Sequence, residues 1–491
     1  MNHSLNETSI RQITDSLKQA NQLFSDRYRG DRGNRQPVHT VYGGAHLFKA
    51  ETTSRLGTLA LRSLEQYAPD AFSFARAIGL EGSHELPDLA STRNTLITQL
   101  RENPEALKLT NRPAWLAYTI YQRVLEKLKR EPVEDFRIDF EDGYGNRPDS
   151  EEDEHAEAAA MEAVKGIQEG TLSPFFGIRI KPFNEELRER SIRTLDIFIT
   201  TVATALGGKV PDNFFVTLPK ITIPQQVAAL ADIFDLLETR LSLPSGSLKL
   251  ELMIETTQSI IDDQGRSNLP HLLTASRGRC VAAHFGTYDY TAACNITAAH
   301  QHMLHPACDF ARNMMQVAYG GTGVWLSDGA TNIMPVPHHR VGEDGRPLTA
   351  EQKEENRLSV TRAWKLHYGH IQHSLTNAFY QGWDLHPAQL PTRYAAVYAF
   401  FLESLDAASE RLRNFVEKAA KATLVGDVFD DAATGQGLLN YFLRAINCGA
   451  LTEEEAVRLS SLTVPELRSG SFVKILNSRQ TETNPLGISH S

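Results

Sequence analysis

The sequence predicts an α/β chain built on a (β/α)8 TIM barrel, with a large insertion after the first strand and a helical C-terminal extension. Three observations carry this. Eight short apolar runs recur with helix-like segments between them, the pattern of βαβ units on a parallel sheet. Charged residues close successive runs at a near-constant interval: Glu141 to Lys181 is 40 positions, Lys181 to Lys220 is 39, Lys220 to Glu255 is 35 and Glu255 to Asp289 is 34. That interval is near the length of one barrel unit. No Gly-x-Gly-x-x-Gly follows an early strand, so the open doubly wound sheet lacks its usual nucleotide signature.

Residues 1–36 are polar, with a helix expected over Ile10–Phe24 and an Arg/Gly/Asp-rich loop from Arg27 to Arg35. The barrel is expected over 37–390. Its runs are Val38–Phe48, Phe136–Gly143, Phe176–Phe183, Phe214–Ile221, Leu248–Glu255, Val281–Asp289, Gly323–Gly329 and Gly382–Gln389. Helical segments between them include Glu151–Gln168, Glu185–Ala205, Ile223–Thr239 and Ala307–Tyr319. Two gaps exceed one unit and read as insertions, 49–135 and 337–381. Val341–Arg357, rich in Gly, Pro and charge, reads as an exposed loop. The extension, 391–491, is helical over stretches such as Ala395–Phe415 and Glu453–Leu459. It ends in a polar segment after Asn477 that is expected to be disordered.

Composition narrows the function. The 491 residues carry 50 Lys plus Arg against 60 Asp plus Glu, a net charge of −10, which argues against a nucleic-acid binder. No apolar run approaches the roughly 20 residues that span a bilayer, so no membrane partner is expected. Met1–Ser9 has no basic region followed by an apolar one, and the four cysteines form no Cys-x-x-Cys. A cytoplasmic protein with reduced thiols is expected. Cys294 lies near the candidate site, but a lone cysteine reads as a small buried hydrophobe.

Strand alternation places Phe136, Ile138 and Phe140 on one face and Arg137, Asp139 and Glu141 on the other. The apolar face meets the helices and the charged face the lumen. Arg137 and Asp139 read as a structural ion pair. Glu141 and Asp142 fall at the C-terminal strand end, where barrel enzymes place chemistry. On the third strand Arg179 and Lys181 share a face and read as two cations at the mouth, suited to an anionic substrate that a guanidinium grips bidentately. Lys220 ends the fourth strand. Glu255 and Asp289 end the fifth and sixth, and two carboxylates on neighbouring strands suit Mg²⁺ or Mn²⁺ with open positions for water and substrate. Gly286 and Thr287 could lend backbone N–H groups to a substrate carboxylate. The histidines at 302, 305, 338, 339, 367, 370 and 373 lack a His-Glu-x-x-His pattern and read as surface or structural, whereas His386 falls at the eighth strand end.

In order, Asp139-Phe140-Glu141-Asp142, Ile178-Arg179-Ile180, Leu218-Pro219-Lys220, Ile254-Glu255-Thr256, Phe285-Gly286 with Asp289, and His386-Pro387-Ala388-Gln389 resemble the superfamily of citrate lyase β-subunits, malyl-CoA lyases and class II 2-oxo acid aldolases. The resemblance implies a divalent-metal-dependent C–C lyase, acting on a small 2-oxo or hydroxy carboxylic acid through an enolate. It implies Glu255 and Asp289 as metal ligands and Arg179 as the group on the substrate oxygen. Glu141 and Asp142 become an acidic pair for water or proton transfer, with Lys220, Gly286, Thr287 and His386 around the substrate. It also implies a homo-oligomer. The first strand ends Val41-Tyr42-Gly43-Gly44-Ala45-His46, without the Pro-Gly/Ala-Asp-Arg pattern of CoA-using relatives, so CoA use stays open. Two alternatives stand beside the aldolase reading: an acyl-CoA lyase of the malyl-CoA or citramalyl-CoA type, and a barrel that binds an oxo acid without turnover.

Overall fold

Eight parallel strands pair in sequence order and close on themselves: β1 (His39–Gly44), β2 (Asp135–Asp139), β3 (Phe175–Arg179), β4 (Phe214–Leu218), β5 (Lys249–Ile254), β6 (Cys280–Phe285), β7 (Trp325–Ala330) and β8 (Gln381–Asp384). Strand β1 bonds to both β2 and β8, which excludes the open sheet. The computed structural model describes all residues except 1–6, 31–32, 342–345, 418–422, 426–427, 431, 473, 476–477 and 480–491.

Each predicted run holds one strand, and most strands stop before the run does. Strand β2 ends at Asp139, β6 at Phe285 and β8 at Asp384. The residues left over turn across the mouth. Asp289 therefore lies in the first turn of a short helix, Thr287–Ala293, rather than on β6. His386 caps a 3₁₀ turn, Pro387–Gln389, beyond β8.

Alternation sorts the side chains as expected. Phe136 packs outward on Phe48 and Phe140 on Phe198, with ring centroids 5.4 and 6.2 Å apart. Inward, Phe175, Phe215, Val281, Ala282 and Trp325 form a separate apolar floor at the N-terminal end of the lumen. Above it the lumen is charged. The expected Arg137–Asp139 pair is not formed. Arg137 instead pairs with Asp135, donates Nε to Thr217 Oγ1 at 3.2 Å and lies 3.7 Å from Glu251. Register explains the exchange: Asp139 stands directly opposite Arg179 on β3, which takes both its oxygens.

The span after β1 holds five helices, Thr52–Tyr67, Ala71–Ile78, Ala90–Glu102, Pro104–Thr110 and Arg112–Arg130. They pack beside the β7–β8 connection, whose Trp364 meets Phe74 edge-on at 5.6 Å. That connection is mostly one helix, Ala350–Thr376. Ala350–Arg357 is thus helical rather than looped, because Thr349 and Gln352 form a capping box ahead of good helix formers. Residues 342–345 of that predicted loop lie outside the described residues.

The N-terminal helix runs Glu7–Arg27. The C-terminal extension holds helices Leu390–Glu417, Ala432–Asn447, Glu453–Ser460 and Val464–Arg468, with a two-stranded hairpin, Thr423–Val425 and Val428–Asp430. The polar end from residue 480, where disorder is expected, lies outside the described residues. No helix among the described residues is long and apolar enough to cross a membrane. None of the four cysteines is in a disulfide.

One buried charge fastens barrel to extension. Asp384, fully buried, accepts from Arg393 Nε and Nη2 at 3.1 and 2.9 Å and faces His39 Nδ1 at 2.9 Å. Burial opposes its ionisation, yet Arg393, His367 and His39 hold it well below the usual carboxylate range. Removing one partner of a buried pair strands the other. Arg393→Met should therefore lose about 3–5 kcal/mol of stability. Urea unfolding should show that the double variant Asp384→Asn/Arg393→Met loses less than the single one. A single variant within about 1 kcal/mol of the parent would show that this pair is not the fastening.

Candidate active site

The mouth is built on Arg179, the last residue of β3, which is 2 % exposed. Its Nε and Nη2 donate to Asp139 Oδ1 and Oδ2 at 2.7 and 2.5 Å. Asp139 is itself fixed by the backbone N–H groups of Glu141 and Gly143 at 3.0 and 2.7 Å. The guanidinium carbon lies 4.8 Å from the Tyr42 ring centroid and 5.5 Å from that of Trp383. The expected bidentate grip on a substrate is therefore already spent on Asp139. What Arg179 offers to the mouth is Nη1, 3.2 Å from Glu141 Oε2.

Lys220 is the second cation. Its backbone is left-handed, at φ 49°, a strained conformation for a residue with a Cβ. The strain is held by Glu255, whose Oε1 accepts the Lys220 N–H at 2.7 Å. The ammonium then reaches Glu141, Asp142 at 3.0 Å and Asp289 at 3.8 Å. Burial disfavours its charge, but Glu255, Glu141 and Asp289 raise its pKa above the ordinary lysine value. Lys181, expected as a mouth cation, is withdrawn from it. Its ammonium is buried between the Phe140 carbonyl, 2.6 Å, and Glu152 of the neighbouring helix, 2.7 Å.

Glu255 follows β5 directly and is 1 % exposed, whereas the Asp289 side chain is 43 % exposed. Burial first, and then the Asp289 charge, push the Glu255 carboxyl up to about 8. Gly286 makes room for it, since a Cβ there would lie 2.5 Å from Glu255 Oε2. The Gly286 N–H is not free for a substrate, because it donates to the Ile254 carbonyl at 3.0 Å. The Thr287 hydroxyl lies against Met303 Sδ at 3.2 Å. His386 accepts the Ala388 N–H on Nδ1, so it serves its own turn, and no hydrogen bond ties it to the carboxylates. Beneath Arg179, Glu141 is raised by burial, while Asp142, despite burial, is held below its ordinary value by Lys220. Glu141 Oε2 has no hydrogen-bond partner among the described residues.

The structure thus brings together Arg179, Lys220, Glu141, Asp142, Glu255 and Asp289. It leaves out Lys181, His386 and the Gly286 amide. It adds Asp139, Tyr42 and Trp383, together with His284. His284 is fully buried under Tyr42 and Trp383 with neither ring nitrogen partnered among the described residues. Burial lowers its pKa to about 4, so it is neutral at pH 7. Asp139 was findable by setting β2 and β3 in parallel register. The others come from β1, β6 and β8, which only barrel closure brings near Arg179.

No group of three or more His, Cys, Asp or Glu residues converges as a cage for a metal among the described residues. Glu255 and Asp289 are two carboxylates close enough for the Asp289 charge to raise the Glu255 carboxyl, beside Glu141. A pair of carboxylates with positions left for water and substrate fits Mg²⁺, which keeps several waters.

A family profile described as "Domain of unknown function (DUF6986)" matches residues 17–475. No curated protein matches the sequence. Among solved structures, a citrate lyase from Burkholderia xenovorans LB400 superposes with a TM-score of 0.50 at 18 % identity, over 69 % of this chain and 92 % of that one. This likeness supports the barrel fold. A Haloferax volcanii malate synthase in a magnesium/glyoxylate complex reaches a TM-score of 0.40 at 12 % identity, over 90 % and 98 % of the two chains, too loose a superposition to bear on the site.

The raised Glu255 carboxyl gives a stability test. In metal-free protein Glu255 holds its proton when folded up to about pH 8 but releases it near 4.5 when unfolded. Stability from this group is therefore lost as pH rises between those values. In urea unfolding, the parent should fall relative to Glu255→Gln by about 1 kcal/mol per pH unit across that window. Parallel pH profiles for the two proteins would refute the assignment.

Proposed function

The chain belongs to the family described as "Domain of unknown function (DUF6986)", a description that names no activity, and from the mouth of its barrel we propose a divalent-metal-dependent C–C bond lyase. The substrate is a small 2-oxo or hydroxy carboxylic acid, cleaved or formed through an enolate. The observation that carries the reading is the charge balance at the mouth. Glu141, Asp142, Glu255 and Asp289 gather around one ammonium, Lys220, because Arg179 is already neutralised by Asp139. The missing charge is a cation's.

Glu255 and Asp289 would hold Mg²⁺ or Mn²⁺. The ion would supply Lewis-acid stabilisation of the negative charge that develops on the substrate's carbonyl oxygen. The residues of the chain do the rest. Arg179, locked in direction by Asp139 and by the Tyr42 and Trp383 rings, aims Nη1 at the developing oxyanion. A donor held in place before reaction needs no reorganisation when charge appears. Lys220 attracts the substrate carboxylate. Glu141 is the group placed to hold and return the proton, because burial raises its pKa and its Oε2 accepts no hydrogen bond. Nothing among the described residues of the mouth favours a CoA thioester over a free acid.

Deuterium exchange into the methyl group of pyruvate, followed by NMR in D₂O, tests enolate formation without a second substrate. Exchange should require Mg²⁺ or Mn²⁺. It should fall by about 10²–10³ in Arg179→Ala and to background in Glu255→Gln and Asp289→Asn. Exchange without metal, or undiminished in the Arg179 variant, would overturn the reading.

A further inference from the structure

A second cavity lies at the other end of the barrel. It has a volume of about 710 Å³ and is roofed by the C-terminal extension. Its wall includes Phe175 and Trp325, the first residues of β3 and β7, so it opens under the apolar floor of the lumen. The wall also includes Arg35 before β1, Lys127, Arg130 and Glu131 at the end of the helix before β2, and Tyr398 and Arg468 of the extension. The volume is that of a small-molecule site.

Two buried donors of the wall lack acceptors among the described residues. Trp325 is 8 % exposed, and its Nε1 is buried with no hydrogen-bond partner among the described residues. Arg35 Nε is buried and unpartnered as well. The rest of Arg35 and the nearby Lys127 are balanced by Glu131 and Glu134, and Arg468 by Glu453. Arg130 has no carboxylate partner among the described residues and leaves the cavity with an excess positive charge. An indole N–H can only donate, and so can a guanidinium. A buried donor without an acceptor costs about 1–3 kcal/mol, so the cavity is built for something that brings acceptors. We infer that it binds a small organic oxyanion, whose phosphate or carboxylate oxygens meet Trp325, Arg35 and Arg130. This inference is independent of the chemistry proposed for the mouth.

Calorimetry on the full chain, stripped of metal and then exchanged into chelator-free buffer, with pyrophosphate and tricarballylate as separate probes, tests it. The first probe reads phosphate chemistry and the second carboxylate chemistry. At least one should bind saturably, one per chain, with a Kd of about 1 mM or below. It should also change tryptophan fluorescence. Arg130→Glu, at an exposed position, should weaken binding about tenfold or more. Trp325→Phe, which keeps a ring in the floor, should weaken it and abolish the fluorescence change. Lys220→Met, which removes the accessible cation of the mouth, should leave it intact. Binding by neither probe, binding unchanged in Arg130→Glu, or binding lost in Lys220→Met would each overturn the proposal.

Discussion

The ion pair between Asp139 and Arg179 is the interaction on which the mouth depends. It joins adjacent strands at the level where the barrel meets solvent, and both partners are almost wholly buried. Burying two charges is costly, and the attraction offsets that cost only when geometry is good and the remaining lone pairs are satisfied. Here they are, by two fork bonds and two backbone N–H groups. The result is a guanidinium with one nitrogen, Nη1, turned to the mouth, where it lies 3.2 Å from Glu141 Oε2. That restriction turns a generic cation into a positioned donor.

Below this pair the lumen continues in kind. Asp135, Arg137, Thr217, Glu251 and Tyr42 fill the layer that barrels commonly fill with branched aliphatic residues. The balance there is not even. Burial, partly relieved by Arg137, lifts Asp135 to about 6, while His284 stays neutral. The interior therefore holds close to its own limit of negative charge, and at the mouth the same crowding keeps the Glu255 proton in place up to about pH 8. A divalent cation at Glu255 and Asp289 would relieve the same field that raises Glu255, so electrostatic cost in the free protein becomes affinity in the loaded one.

Much of this was legible in the sequence, and the failures share one cause. Period-two alternation identified which residues of β2 face inward, and strand-end position picked out Arg179, Lys220, Glu141 and Glu255. Neither says which residue on the next strand stands opposite. Alternation alone therefore pairs Arg137 with Asp139, although Asp139 and Arg179 are register mates. Alternation carried two residues past the end of β3 puts Lys181 at the mouth. There the chain has already turned toward Glu152. The Gly286 amide was spent on a ladder bond that only the β5–β6 pairing reveals. Tyr42 and Trp383 could not be found from β3 alone, since they reach Arg179 only after β8 closes on β1.

The two ends of the barrel are not separate. Arg444, on a helix of the extension, donates to Gln36 Oε1 at 2.6 Å, and Gln36 bonds Gln381 at 3.3 Å. Gln381 donates to Thr40 at 2.8 Å, and Thr40 to Asp135 at 3.1 Å. Asp135 pairs with Arg137, which lies beside Glu251, the acceptor of the Tyr42 hydroxyl under Arg179. Each link is a polar group with little freedom to find another partner in a closed lumen. A barrel filled with aliphatic side chains would separate its two faces by an inert layer. This one joins them by hydrogen bonds and paired charge, so the extension does more than cover the lower face. It contributes the first link of the column that ends beneath the guanidinium.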